Sequence, residues 1–177
     1  STRIRDLLAA GEVGEAGRLL GRPYAIYAPV VSGQGRGREL GYPTANLSIP
    51  PEKTLPRDGV YAGMSGKIRG GDYDTLEEPR PAAINVGLAP TLRGDARIVE
   101  VHVVGVHCDL LGTSIKVQFL RWLRGEERFA RLDDLTAQIG RDVAITATVA
   151  GAALPPELQR FDEFCAGDYI IARGDEV

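Results

Sequence analysis

Gly33, Gly35, Gly37 and Gly41, interleaved with Arg36 and Arg38, make a loop whose backbone can take positive φ and come close to a ligand. Such a loop can turn several N–H groups toward one anion. Neither phosphate-loop fingerprint is present. G-x-x-x-x-G-K-[ST] is absent, and G-x-G-x-x-G fails because position 38 is Arg and position 40 is Leu. A flexible hairpin therefore stands beside the phosphate-site reading. Directly downstream, Pro43 stiffens the entry to Thr44-Ala45-Asn46, and in an extended segment Thr44 and Asn46 point the same way. A hydroxyl and a carboxamide facing one spot suit Mg²⁺, which accepts hard oxygen ligands and keeps phosphates and water in its shell. A simple Pro-Thr and Asn turn is the competing reading.

Glu100 is flanked by Val99 and Val101 in a β-branched run. Either its strand face is wet, where Glu and His are ordinary, or the face lines a pocket in which the carboxylate takes a proton from a substrate hydroxyl as general base. His102, His107 and Cys108 do not make a metal-thiolate site, because residues 102 and 107 would point to opposite faces of one strand. Asp109, Lys116 and the arginines at 121, 124, 128 and 131 read as solvated, with the arginines available to line one edge of an anion site.

Composition limits what these residues can serve. At 177 residues, 44% hydrophobic and 25% charged, the chain matches one soluble globular domain with appendages. A net charge of −3 argues against a general nucleic-acid binder. No apolar run approaches the roughly 18 residues needed to span a bilayer, and no signal-peptide pattern opens the chain, so a cytoplasmic location with no membrane partner is expected. Cys108 and Cys165 are too few for a disulfide framework and read as free thiols.

The elements that position these residues follow from periodicity. Ile4, Leu7, Leu8, Val13, Ala16, Leu19 and Leu20 predict a helix over 3–20, interrupted near Gly11. Residues 24–31 suit a strand running into a segment at 33–38 that is not regular structure. Asp58-Gly59 is a turn before a strand at Val60-Tyr61. Residues 98–106 predict a strand with Val99, Val101 and Val103 on one face and Ile98, Glu100, His102 and Val104 on the other. Ile115, Val117 and Phe119 alternate likewise. After Arg131, Leu132, Leu135, Ile139 and Val143 predict a helix with Asp133 and Asp134 near its positive end. Pro155-Pro156 reads as the start of a short helix, and residues 169–172 as a strand. The expected fold class is β-rich α+β, a barrel or sandwich of short, mainly antiparallel strands with a helix at each end.

Five motifs, in this order, carry a resemblance: Arg36-Gly37-Arg38-Glu39-Leu40-Gly41-Tyr42-Pro43-Thr44-Ala45-Asn46; Asp58-Gly59-Val60-Tyr61; Asn85-Val86-Gly87 with Pro90-Thr91; Val99-Glu100-Val101-His102; and Phe119-Leu120-Arg121-Trp122-Leu123-Arg124. Together they resemble the riboflavin kinase family, specifically the C-terminal module of the bacterial bifunctional riboflavin kinase and FMN adenylyltransferase, also called FAD synthetase. The resemblance implies a six-stranded antiparallel Greek-key β-barrel with N-terminal and C-terminal helices. The activity implied is transfer of the ATP γ-phosphate to the riboflavin 5′-hydroxyl, giving FMN and ADP. Carried over residue by residue, Thr44 becomes a Mg²⁺ ligand with Asn46 as its partner, and Glu100 becomes the base, so that Glu100 and Asn46 are the catalytic pair. Gly33, Gly35, Arg36, Gly37, Arg38 and Gly41 form a flap over ATP with Thr44 and Asn46, while Glu100, Arg124 and Phe129 lie on the flavin side.

The implied organisation is a linker helix over 1–21, a kinase barrel with helix over 22–149, and an extension of unknown role over 150–177. Ser1-Thr2-Arg3-Ile4-Arg5 resembles the last motif of the family's adenylyltransferase domain, which is expected to precede this chain in the full-length protein. No His-x-x-His motif occurs, so no FAD synthesis is expected from these residues. Gly125 stands where the family usually has Pro, and Ala89 where a basic residue is common. The alternative is a catalytically silent flavin- or nucleotide-binding regulatory barrel. Thr44, Asn46 and Glu100 separate the two, since a pure binder has no need of a base.

Overall fold

The computed structural model describes residues 1–69, 72–91, 94–106 and 110–153. Two helices open the chain, α1 (Thr2–Ala10) and α2 (Val13–Leu20), broken at Gly11 as the apolar spacing predicts. Then come β1 (Tyr24–Val31), α3 (Arg36–Glu39), β2 (Ala45–Leu47), β3 (Gly59–Arg69), β4 (Asp72–Thr91), β5 (Gly94–Val103), β6 (Ser114–Arg124) and α4 (Leu132–Gly151). The strands close into a barrel in the order β1-β2-β5-β4-β3-β6, with every neighbouring pair antiparallel. The β-rich α+β expectation holds.

The interior is filled by alternate residues of each strand, as period-two patterning requires. Ile26 and Ala28, Ala45 and Leu47, Ile84 and Val86, Val99 and Val101, and Val117 and Phe119 are all buried in one cluster. Leu8, Val13 and Ala16 extend that cluster into α1 and α2. Tyr61 is its largest member, fully buried, with its ring edge-on to Phe119 at 5.2 Å and its hydroxyl donating to the Arg57 carbonyl.

Three expectations change. Residues 33–38 are not wholly irregular, because Arg36–Glu39 makes one helical turn, too short to leave a periodic signature. The strand expected over 98–106 ends at Val103, where the chain turns through Gly105 at φ 76°. Helix α4 covers its predicted apolar stripe only in part: Leu132 is 70% exposed, Leu135, Ile139 and Val143 are half-buried, and the same face is covered most completely at Asp142, Thr146 and Ala150, spaced four apart. The reason is where α4 lies. It packs on the outside of β3 and β4, over the outward-facing and buried Val60 and Ala62, and brings Asp142 to an arginine at the end of β6. The helix and strand expected beyond Pro155, together with His107, Cys108, Asp109 and Cys165, lie outside the described residues. Among the described residues no helix is long and apolar enough to cross a membrane.

Burial pushes the Tyr61 hydroxyl up to about 12; Arg57 and Arg97 oppose the shift and Asp58 adds to it. An unfolded tyrosine ionises near pH 10, so the tyrosine's contribution to stability is intact below about pH 10. It is lost as pH rises toward about 12, by up to about 3 kcal/mol. Urea midpoints measured at pH 8 and pH 11 should show this loss in the wild type, and Tyr61→Phe should abolish most of the pH-dependent part.

Candidate active site

The β1–β2 pairing is short, with Val30 opposite Leu47 and Val31 opposite Asn46. Beyond Val31 the chain leaves the sheet for residues 32–44, and a cavity of about 240 Å³ opens there. Its lining includes apolar Val101, Val103, Val106, Leu110 and Leu111 together with Ser32, Gly33, Gly35, Arg38, Thr44 and Asn46. The glycine-rich loop and the Thr44–Asn46 segment therefore share one cavity. Their contact is close at two glycines, and at Gly37, which faces backbone, it leaves no room for a side chain. A β-carbon on Gly33 would collide with the Asn46 carboxamide, and one on Gly37 would collide with the Tyr42 carbonyl and lie 3.1 Å from the Thr44 hydroxyl. Arg36 and Gly41 are exposed and do not line this cavity; Gly41, at φ 83°, turns the chain out of α3.

Cross-strand register assembles the rest. Asn46 lies opposite Glu100, Glu100 opposite Asn85, Asn85 opposite Val60, and Val60 opposite Arg124. Opposed residues project from the same face, with β-carbons roughly 5 Å apart. Since Val99, Val101, Ile84 and Val86 fill the interior, this row lies on the outside of the barrel. Glu100 is thus a half-buried carboxylate between two carboxamides. Asn85 carries no role in the sequence reading, although a polar residue between buried Ile84 and Val86 is the same signal that singles out Glu100. Two residues further along that face of β4, a β-carbon on Gly87 would collide with the Glu126 carboxylate, so the segment after β6 folds back over β4.

Arg124 is committed to protein. Its Nε lies 3.1 Å and a terminal nitrogen 2.8 Å from Asp142 Oδ2, and its other terminal nitrogen donates to the Gly125 carbonyl at 3.0 Å. Gln138 donates to Asp142 Oδ1 at 3.0 Å. The side chains of Arg124 and Asp142 are 18% and 6% exposed, so this is a largely buried, two-pronged pair that fastens α4 to the end of β6. Phe129 is half-buried in the segment that joins them. Among the described residues no cluster of three His, Cys, Asp or Glu side chains could hold a metal. The available hard donors are the exposed Thr44 hydroxyl, the Asn46 carbonyl oxygen and the Glu100 carboxylate, a set that suits a cation keeping phosphate and water ligands.

The model of the riboflavin kinase family, described as flavokinase, matches residues 20–150. The chain belongs to the riboflavin kinase family. It is 39% identical over 159 residues to the bifunctional riboflavin kinase/FMN adenylyltransferase of Escherichia coli, covering 88% of this chain and 47% of that protein. The enzyme of the same name from Pseudomonas fluorescens is 38% identical over 151 residues, covering 85% of this chain and 46% of that protein. The chain spans about half the length of the curated relatives it matches. A crystal structure of a macrolide-efflux protein from Streptococcus pneumoniae superposes with a TM-score of 0.72 at 35% identity, covering 82% of this chain and 45% of that one.

Removing one partner of a buried pair strands the other charge. Asp142→Leu should lower stability by about 3 kcal/mol, and adding Arg124→Met should recover a large part of that loss. Urea unfolding of the two single variants and the double variant measures both effects.

Proposed function

We propose that this barrel carries out the reaction of its family, moving the γ-phosphoryl group of ATP onto the 5′-hydroxyl of riboflavin, with Glu100 as general base. The carrying observation is the row Asn46–Glu100–Asn85, which holds a half-buried carboxylate next to the Thr44 and Asn46 cavity. The apolar residues lining the cavity suit a nucleobase, and its polar residues suit phosphates, which would meet the backbone of Gly33 and Gly35, the Arg38 guanidinium and the side chains of Thr44 and Asn46. Gly37, packed on Thr44, shapes the same flap, and Arg36 and Gly41 belong to it from outside the cavity. Phosphoryl transfer asks a protein mainly for alignment and neutralisation of charge.

In this reading Thr44 and Asn46 would hold Mg²⁺ together with the ATP phosphates, where it would supply neutralisation of phosphate charge. Glu100 takes the proton as the riboflavin oxygen forms its bond to the γ-phosphorus, the bond to the ADP oxygen breaks, and ADP leaves. The flavin rings extend along the outer face toward β6, where Phe129 meets them. Arg124 serves that side through its hold on Asp142, keeping α4 and segment 125–131 in place. In the full-length protein we expect an FMN adenylyltransferase domain like that named in the relatives, which would consume the FMN made here, and we place the protein in the cytoplasm with its ATP. A catalytically silent barrel is not favoured, because binding alone gives no reason for a carboxylate held at this place.

The test is FMN formation by this chain from riboflavin, ATP and Mg²⁺. Glu100→Gln should lower kcat by about 10²- to 10⁴-fold while leaving both KM values nearly unchanged. Full activity in Glu100→Gln would remove the base assignment, and a wild type that binds flavin without making FMN would favour the silent barrel.

A further inference from the structure

We propose that His102 and Tyr42 are positioning residues that set Thr44 from two sides and tie helix α4 to the phosphate end of the site. The proposal rests on the reading of Thr44 given above. His102 lies two residues from Glu100 on the same face of β5, and its Nδ1 is 2.8 Å from the carbonyl oxygen of Pro43. A carbonyl only accepts, so Nδ1 carries the proton and donates. That carbonyl belongs to the peptide unit joining Pro43 to Thr44, and holding its plane fixes the direction in which Thr44 leaves it. One strand therefore presents the carboxylate and, a step away, the donor that orients the segment bearing the metal ligand.

Tyr42 continues the chain of contacts. Its ring stands edge-on to the His102 ring, with centroids 5.5 Å apart and planes at 82°. Its hydroxyl abuts α4 at Gly140, where an added β-carbon would sit only 3.0 Å away. Gly140 lies within the 20-residue helix α4, where glycine weakens a helix relative to alanine. The tyrosine hydroxyl accounts for it, since the bare backbone leaves room for Tyr42 to seat. Gly140, Tyr42, His102 and Pro43 thus form a strap from the helix on the flavin side to the residue before Thr44. A displacement of α4 is passed to the phosphate site through it.

The test measures steady-state kinetics and thermal midpoints side by side. Gly140→Ala should hold or raise the thermal midpoint yet raise KM for ATP about tenfold, with KM for riboflavin nearly unchanged. Adding Tyr42→Phe, which removes the obstructing hydroxyl, should bring KM for ATP back to that of Tyr42→Phe alone. His102→Ala should raise KM for ATP by a similar factor, and His102→Asn, which keeps a donor near Nδ1, should restore most of it. Additive effects of Gly140→Ala and Tyr42→Phe, or an unchanged KM in His102→Ala, would overturn the strap. Thr44→Ala separates the two ideas: if it raises KM for ATP while His102→Ala does not, the strap alone fails, and if it leaves that KM unchanged, the reading of Thr44 fails first.

Discussion

The site depends on three residues of β-pairing. β2 is only Ala45–Leu47, and it meets β5 with Ala45 opposite Val101, Asn46 opposite Glu100 and Leu47 opposite Val99. Ala45 and Leu47 are buried in the barrel core, and that burial turns Asn46 outward beside the carboxylate. A slip of one residue would reverse every side chain of so short a strand, sending Asn46 inward and an apolar residue out to Glu100. Burial of Ala45 and Leu47 therefore holds the register, and the register places the chemistry. The loop before β2 is held by the same pairing, because Gly33 and Gly37 close on Asn46 and Thr44.

The second constraint acts from the other end of the row. Arg124 closes the line that begins at Asn46, and its bond to Asp142 fixes α4 outside β3 and β4. A charged, largely buried contact is an expensive way to fasten a helix, since both ions must be desolvated. Its two-pronged geometry ties the rotation of α4 to the end of β6, and the Gln138 amide, on α4 itself, holds the Asp142 carboxylate for it. That rotation decides where Gly140 meets Tyr42, so the two ends of the site are joined through one helix.

Much of this was legible in the sequence. Alternation across Val99, Val101 and Val103 marked the core face of β5, and with it the odd charge at Glu100; the ordered motifs pointed to the family. What was hidden is non-local. Asn85 joins Glu100 only through the β4–β5 register, which one strand read alone does not encode. The partner of Arg124 lies 18 positions away on another element, so the arginine read as solvated or flavin-facing. On helix α4 the spacing of Leu135, Ile139 and Val143 marks the inner face, but the positions covered most completely on that face, Asp142, Thr146 and Ala150, are polar or small and leave no apolar signal. The helix and its start after Arg131 were legible from spacing near 3.6 alone.

The central claim is that Asn46 and Glu100 act as one unit across the β2–β5 pair. A double-mutant cycle on kcat for FMN formation, with Asn46→Ala, Glu100→Gln and both together, tests it most directly. The account predicts strong non-additivity, with the double variant scarcely slower than the slower single variant. Rate losses that simply multiply would show two independent residues and contradict it.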